Sequence, residues 1–440
     1  MSESVPETKQ PSRALAPRYA PAPQKGAFQA HFADGITLEL QPGRVRLYPG
    51  LRGQAPSMAA FYDAFADYVR IGRVLDAGSG AGVGSARLTQ RGLRVLAVDE
   101  DLTAVEFARR HAPDAEHLHR SLAALDLTST VDGAIVADVL ALCEDPEAAL
   151  VGVNRALRLG SPLLVAESAA HVSQRLSVPQ RRGFSVPRLR SLLVRTGFEV
   201  EAVIADRVPF VALLARAAFP SVRDAFANAY AAAASGDIDQ ALLRLHPARG
   251  TGRFRVEAEI LLAEAELLLA RGDGDQAAQA FFRARELDSS DARPLVGLGR
   301  IALASGTYSD ALELALDALR LDPAETAAYV LVALASGALG HADSFSAWRA
   351  AARLAPDDSF VVGELTRAAL ACGNHPVALA GLEQLERYGV ALEAAHHVTR
   401  AWLLLALGRR GEASVEARIA RAKEATHPEL GELERALSDR

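Results

Sequence analysis

The residues best suited to chemistry lie in one short run, Val74-Leu75-Asp76-Ala77-Gly78-Ser79-Gly80-Ala81-Gly82, where glycines recur at every second position after an apolar stretch. Glycines there let the backbone approach a ligand, and a helix starting just beyond them offers unpaired N–H groups. The order is G-x-G-x-G. The dinucleotide order G-x-G-x-x-G fails, because Val83 or Ser85 stands where its third glycine belongs. An acid, Asp76, closes the apolar run just before the loop. A pyrophosphate would be repelled there, whereas a ligand carrying an ammonium group would be held nearby. A second apolar run, Val95-Leu96-Ala97-Val98, ends in Asp99, and an acid at that edge accepts hydrogen bonds from both hydroxyls of a ribose.

Such a loop works only if strands and helices hold it. Strands are predicted at Arg73–Asp76, Arg94–Asp99, Ala115–His119, Gly133–Asp138 and Pro162–Glu167, with helices in the intervals after Gly82, Thr103, Pro146 and Pro187. Strands alternating with helices imply a parallel sheet covered on both faces. Gly197–Val203 and Val208–Ala215 follow each other too closely for a parallel crossover, so this last pair must be antiparallel. Upstream, Ala60, Phe61, Ala64, Phe65 and Tyr68 predict a helix over Ser57–Val69. Ile36–Leu40 and Val45–Leu47, around the turn Gln41-Pro42-Gly43, predict a small hairpin. Residues 1–27 carry five prolines and few large apolar groups, the composition of a disordered tail.

Beyond Pro220 the pattern is helical and repetitive. Gly236, Gly272, Gly306, Gly340, Gly373 and Gly408 recur about every 34 residues, and five positions after them stand Ala241, Ala277, Ala311, Phe345, Ala378 and Ala413. Each glycine ends one helix in a left-handed conformation, and the small residue lets the next helix pack closely. The best copy, with Leu298-Gly299, Gly306, Tyr308, Ala311, Ala318 and Pro323, resembles a tetratricopeptide (TPR) repeat nearly position by position.

The stretch from about residue 56 to 216 resembles a class I S-adenosylmethionine-dependent methyltransferase. Asp76 to Gly82 match that family's cofactor loop and Asp99 its ribose-binding acid. Asp132–Asp138 match its fourth-strand motif, Leu157–Leu163 its turn into strand five, and Phe184-Ser185 through Gly197-Phe198 its approach to the terminal hairpin. The resemblance implies a Rossmann-like seven-stranded α/β domain, mostly parallel with an antiparallel terminal hairpin, followed by an all-α TPR-like solenoid. It implies S-adenosylmethionine as cofactor, bound by Asp76, Gly78, Ser79, Gly80, Gly82, Asp99, Glu100, Ser121, Leu122 and Asp138. Where the family often has an acid against adenine, this chain has Ser121-Leu122, whose hydroxyl still hydrogen-bonds an amino group. The absence of an Asn-Pro-Pro-Tyr motif after Asp138 argues against the amide- and base-N-methylating branches.

Methyl transfer is a displacement in which positioning supplies most of the acceleration, so a base is optional. Asp138 and His171 are the candidates for one, with a cofactor-edge acid and a solvated loop histidine as the plainer readings. Arg175, Arg181, Arg182, Arg188, Arg190 and Arg195 form either a clamp for an anion or, more simply, the exposed face of a helix and loop. His111, His117 and His119 read as helix-end or strand residues, and Cys143 as a small buried one. Two distant cysteines support neither a disulfide framework nor a zinc site.

The net charge is −6, about +2 up to residue 220 and about −8 beyond, without the basic excess of a dedicated nucleic-acid binder. With no membrane-length apolar run and no secretory signal, the chain reads as cytoplasmic. The expected division is a tail (1–27), a methyltransferase domain with its small hairpin (28–218) and TPR-like repeats (219–440). The expected activity is methyl transfer to an acceptor, with the repeats recruiting a protein partner or substrate. A scaffold with a degenerate cofactor domain, or a small-metabolite enzyme whose repeats drive homo-oligomerisation, remain the alternatives.

Overall fold

The computed structural model describes residues 28–31, 37–41, 44–46, 58–169, 183–205, 210–356, 358–387 and 389–438. The predicted tail and His171 lie outside them. Near the start, β1 (Phe28–His31), β2 (Thr37–Gln41) and β3 (Arg44–Arg46) form a small antiparallel sheet, so the predicted hairpin has gained one strand.

The main sheet has seven strands. In chain order they are β4 (Arg73–Ala77), β5 (Arg94–Asp99), β6 (Glu116–His119), β7 (Gly133–Ala137), β8 (Pro162–Ser168), β9 (Phe198–Ala205) and β10 (Phe210–Ala217). Their spatial order is β6-β5-β4-β7-β8-β10-β9. The first five run parallel, with Val74 opposite Val95 on one side and Gly133 on the other. Only four residues separate β9 from β10, which makes that pair the antiparallel hairpin the sequence implied. The strands are apolar on both faces: Val74 and Leu75, adjacent and so pointing opposite ways, are both fully buried. On one face α1 (Met58–Val69) contributes Phe61 and Phe65, each fully buried, to a core with Val95, Ile135 and Leu164. Strand β4 runs through the loop into α2 (Val83–Gln90), and β5 leads to α3 (Leu102–His111), whose first turn is capped by Asp101. Further along come α4 (Pro146–Ala156) and α5 (Val186–Arg195), the latter capped by Ser185.

The rest of the described chain is helical. Six antiparallel pairs follow: α6 (Pro220–Ala234) with α7 (Ile238–Leu245), α8 (Phe254–Arg271) with α9 (Gly274–Leu287), α10 (Arg293–Ala304) with α11 (Tyr308–Leu321), α12 (Thr326–Ala338) with α13 (Ser344–Leu354), α14 (Ser359–Ala371) with α15 (His375–Arg387), and α16 (Ala394–Ala406) with α17 (Arg410–Lys423). A last helix, α18 (Leu430–Ser438), closes the array. All six periodic glycines have φ between 65° and 93°, the left-handed turn that ends the first helix of each pair. Ala241, Ala277, Ala311, Ala378 and Ala413 are wholly buried. Phe345 breaks that pattern and is only partly buried at the edge of its cluster.

The chain divides into two compact units. The first holds residues up to Ala137 with Arg155–Ala166 and Val200–Ala217; the second holds Asp138–Asn154, Glu167–Glu199 and everything from Ala218 on.

Candidate functional site

Asp76 ends β4 beneath the glycine loop and is completely buried. Both its oxygens are occupied: the Tyr62 hydroxyl donates to one at 2.8 Å and the Ser85 hydroxyl to the other at 2.6 Å. Burial raises its pKa to about 6, against the two hydroxyl donors that pull the other way, and the nearby charge of Asp99 adds to the rise. The carboxylate therefore braces the loop from below, linking α1 to α2. Gly84 makes room for this: a side chain there would strike the Tyr62 ring. Neither Tyr62 nor Ser85 stood out in the sequence, since a tyrosine fourteen residues before a motif carries no local signal.

Above the carboxylate the loop turns through Gly78, Gly80 and Gly82, with φ of 75°, 51° and 83°. The Gly78 and Ser79 N–H groups both donate to the Val98 carbonyl, stitching the loop to β5. At Gly82 a Cβ would come within 2.8 Å of Ala108, whereas at Gly80 it would meet nothing within 4 Å, so the loop is open there. Asp99 accepts from the Gly80 N–H at 2.8 Å and from the Asp101 N–H at 2.9 Å, which brings the ribose-type acid directly to the loop. Glu100, next in sequence, offers its carbonyl to His119 at the end of β6. Ser121 precedes a single 3₁₀ turn beginning at the buried Leu122. The Ser79 hydroxyl is buried and has no hydrogen-bond partner. An orphaned hydroxyl in an open glycine loop, beside an aspartate, suits a polar ligand with a ribose and an amino-acid end.

A second set of groups sits just after β7. Asp138 is not the last residue of that strand, as predicted, but the first beyond it, in the left-handed region with φ of 55°. A non-glycine residue held there costs about 1–2 kcal/mol. The Ser168 hydroxyl donates to its carboxylate at 2.7 Å. Glu167, fully buried at the end of β8, accepts from three successive backbone N–H groups, those of Val139, Leu140 and Ala141, at 3.0, 2.9 and 3.3 Å. Burial outweighs those donors and lifts its pKa to about 8. Glu167 fixes the turn on which Asp138 stands. An acid closing an otherwise apolar strand was the signal for it in the sequence.

The arginine group differs from its expected exposed face. Among the described members, Arg188 is exposed and lies over the Phe184 ring, but Arg195 pairs with Glu147 at 3.0 Å and stacks on Tyr230. The helix α5 carrying them is packed against α6 and α8, which turns one arginine inward. Nearby, Ser191 and Arg293 both bond the buried Glu259, and Arg293 also holds Asp291. The histidines fall as read, His111 ending α3 and His117 and His119 on β6. Cys143 is half-buried rather than buried. No described helix is long and apolar enough to cross a membrane, and no described His, Cys, Asp and Glu side chains group as a metal site.

Parts of the chain are similar to known proteins. Residues 75–165 match the family profile of a methyltransferase domain. No curated protein matches the chain. Among solved structures, a TehB-like SAM-dependent methyltransferase from Corynebacterium glutamicum shares 23% identity over 36% of this chain and 86% of its own, with a TM-score of 0.31. An S-adenosylmethionine-dependent methyltransferase from Mesorhizobium loti shares 19% over 35% and 99%, with a TM-score of 0.31. Pseudomonas aeruginosa pilF shares 17% over 48% and 95%, with a TM-score of 0.37. Residues 75–165 thus match a methyltransferase domain, and the described chain beyond Pro220 is a run of helix pairs.

Proposed function

We propose that this protein transfers a methyl group from S-adenosylmethionine to an acceptor presented by a protein that the repeats recruit, with residues 28–218 as the transferase part and 219–440 as the recruiting part. The observation that carries the cofactor reading is the open loop at Gly80, with the partnerless Ser79 hydroxyl and the Asp99 carboxylate beside it. When bound, S-adenosylmethionine supplies a sulfonium methyl open to in-line displacement. Asp99 would exchange its Gly80 and Asp101 donors for ribose hydroxyls, with Glu100 beside it at the strand end. Gly78, Ser79, Gly80 and Gly82 would take the amino-acid end against backbone, and Asp76, buried below them, would act through its field. Ser121 and Leu122 would border the adenine. Asp138, fixed by Ser168 and by the turn that Glu167 holds, would be the group to take a proton where the acceptor needs it.

The test is calorimetric titration with S-adenosylmethionine and S-adenosylhomocysteine. Micromolar binding of both is expected, and Asp99→Ala should weaken it by about 1.5–3 kcal/mol, the range for lost charged hydrogen bonds. Unchanged affinity in the folded variant would remove Asp99 from the site. Absence of binding by the wild type would leave the repeats as the seat of function.

A further inference from the structure

Asp138 is connected to the helical array by a short series of hydrogen bonds, all of them inside the second unit. Its carboxylate accepts from the Ser168 hydroxyl at 2.7 Å. The Ser168 carbonyl in turn accepts the Phe184 N–H at 3.3 Å, where Ala169 and Phe184 make a parallel bridge just past the end of β8. The Phe184 ring is buried, so packing holds this bridge as well. The next residue, Ser185, donates to Asp322 at 2.7 Å across 137 positions of sequence. Asp322 ends α11 in the third helix pair and is itself buried, its other oxygen taking the Ala324 N–H at 2.9 Å. A hydrogen bond to a carboxylate is roughly twice as strong as one between neutral groups, and it fixes a direction as well as a distance.

A second route reaches the same turn from its far end. The turn that begins at Asp138 runs into α4 at Asp145, whose carboxylate caps that helix through the Glu147 and Ala148 N–H groups, both at 2.9 Å. Glu147 pairs with Arg195 at the end of α5 at 3.0 Å. One turn earlier on α5, Ser191 donates to Glu259 of α8 at 3.0 Å, and Arg293 of α10 holds the same carboxylate. Helix α5 is therefore tied at its start to the third helix pair and further along to the second. Close-packed interiors transmit strain, so a helix fastened at both ends passes a displacement of the array on to whatever it carries.

We propose that Asp322 is a positioning residue for Asp138: by holding Ser185 it fixes the Phe184 bridge and the end of β8 against which the Asp138 carboxylate rests. The third helix pair is then a part of the transferase as well as of the array. This rests on the reading of Asp138 as the group that takes a proton. The experiment is hydrogen–deuterium exchange of the full, ligand-free chain, read by mass spectrometry on peptides covering residues 138–145. Asp322→Ala removes the acceptor. Asp322→Asn keeps an oxygen for the Ala324 N–H and offers its amide to the Ser185 oxygen. Exchange over 138–145 should be about tenfold faster in Asp322→Ala, the protection that one hydrogen bond to a charged group supplies, and should return to within about twofold of wild type in Asp322→Asn. Peptides covering 73–90 should be unchanged in both. Faster exchange confined to the neighbourhood of residues 185 and 322 would overturn the proposal, as would failure of asparagine to restore protection. An equal rise over 73–90 would mark general loosening and would overturn it too. Should Asp322→Ala not fold, Ser185→Asp carries the same expectation, because it keeps the α5 cap but has no proton to give and sets a second carboxylate against Asp322. Calorimetry of the wild type with S-adenosylmethionine separates the two readings. Exchange coupling without cofactor binding would remove the role of Asp138 and leave the link, whereas binding without coupling would remove Asp322 alone.

Discussion

The α/β portion and the first repeats each bury carboxylates, and they shift those carboxylates in opposite directions. Asp76 is met by two hydroxyls and Glu167 by three backbone N–H groups, all neutral, and burial drives their pKa values up to about 6 and about 8. Glu259 is buried as well, with 6% of its surface exposed, and burial alone would raise its pKa too. The Arg293 guanidinium, with help from Arg195 and Ser191, reverses that and holds it below the usual carboxylate range. Burial makes an acid hold its proton, and neutral donors offset that only in part; a nearby cation makes it give the proton up. The first arrangement leaves a site whose charge a cationic ligand can change, and the second locks helices together regardless of ligand.

The largest effect is expected where the cation is removed. Arg293→Ala strands Glu259 and Asp291, and a broken buried pair costs about 3–5 kcal/mol in chemical denaturation at neutral pH. A loss under about 1 kcal/mol would mean that Arg293 is not what holds Glu259 ionised, and the contrast would fail. Next comes Asp76→Ala, which leaves the Tyr62 and Ser85 hydroxyls without their acceptor. About 2–4 kcal/mol of stability should go, together with the cofactor affinity measured by calorimetry.

The pH dependence separates the two kinds directly. Glu167 has a raised pKa, so the folded chain keeps a proton that the unfolded chain releases. Its contribution is complete below the ordinary value of 4.5 and is lost as pH rises to about 8. Wild type should therefore lose thermal stability relative to Glu167→Gln between pH 5 and pH 8, with no further divergence above about pH 9. Glu259, with its pKa lowered, contributes above the ordinary value and loses that contribution as pH falls through the lowered one. Parallel melting curves for wild type and Glu167→Gln across that range would show that Glu167 is ionised when buried. The smallest effect belongs to a change that touches no carboxylate. Gly306→Ala meets open space and has only its φ of 78° to resist it, a loss of about 1 kcal/mol in the denaturation midpoint.

What the sequence disclosed follows the distance over which each feature is written. The glycine loop and Asp99 were readable because a left-handed turn and a strand-end acid are demands made by contiguous residues. The repeats were readable because one demand recurs with a period. The antiparallel hairpin could be inferred from chain length alone. The bracing of Asp76 by Tyr62 spans fourteen residues, and the Ser191–Glu259 bond spans sixty-eight. Neither pairing has a period or motif, so neither was visible, and Arg195 was assigned to an exposed face for the same reason. Asp138 was placed one residue too far into its strand because nothing in its neighbours announces a left-handed backbone.

The six glycines that end the first helix of each pair have a consequence of another kind. A side chain at any of them would meet no atom within 4 Å, so these turns ask nothing of the surrounding core. A connection with purely local requirements survives being copied. Duplication or loss of one helix pair in the gene would hand down an intact turn, and the array is free to change its length in descent while the sheet beside it in sequence, bound by long-range pairings, is not.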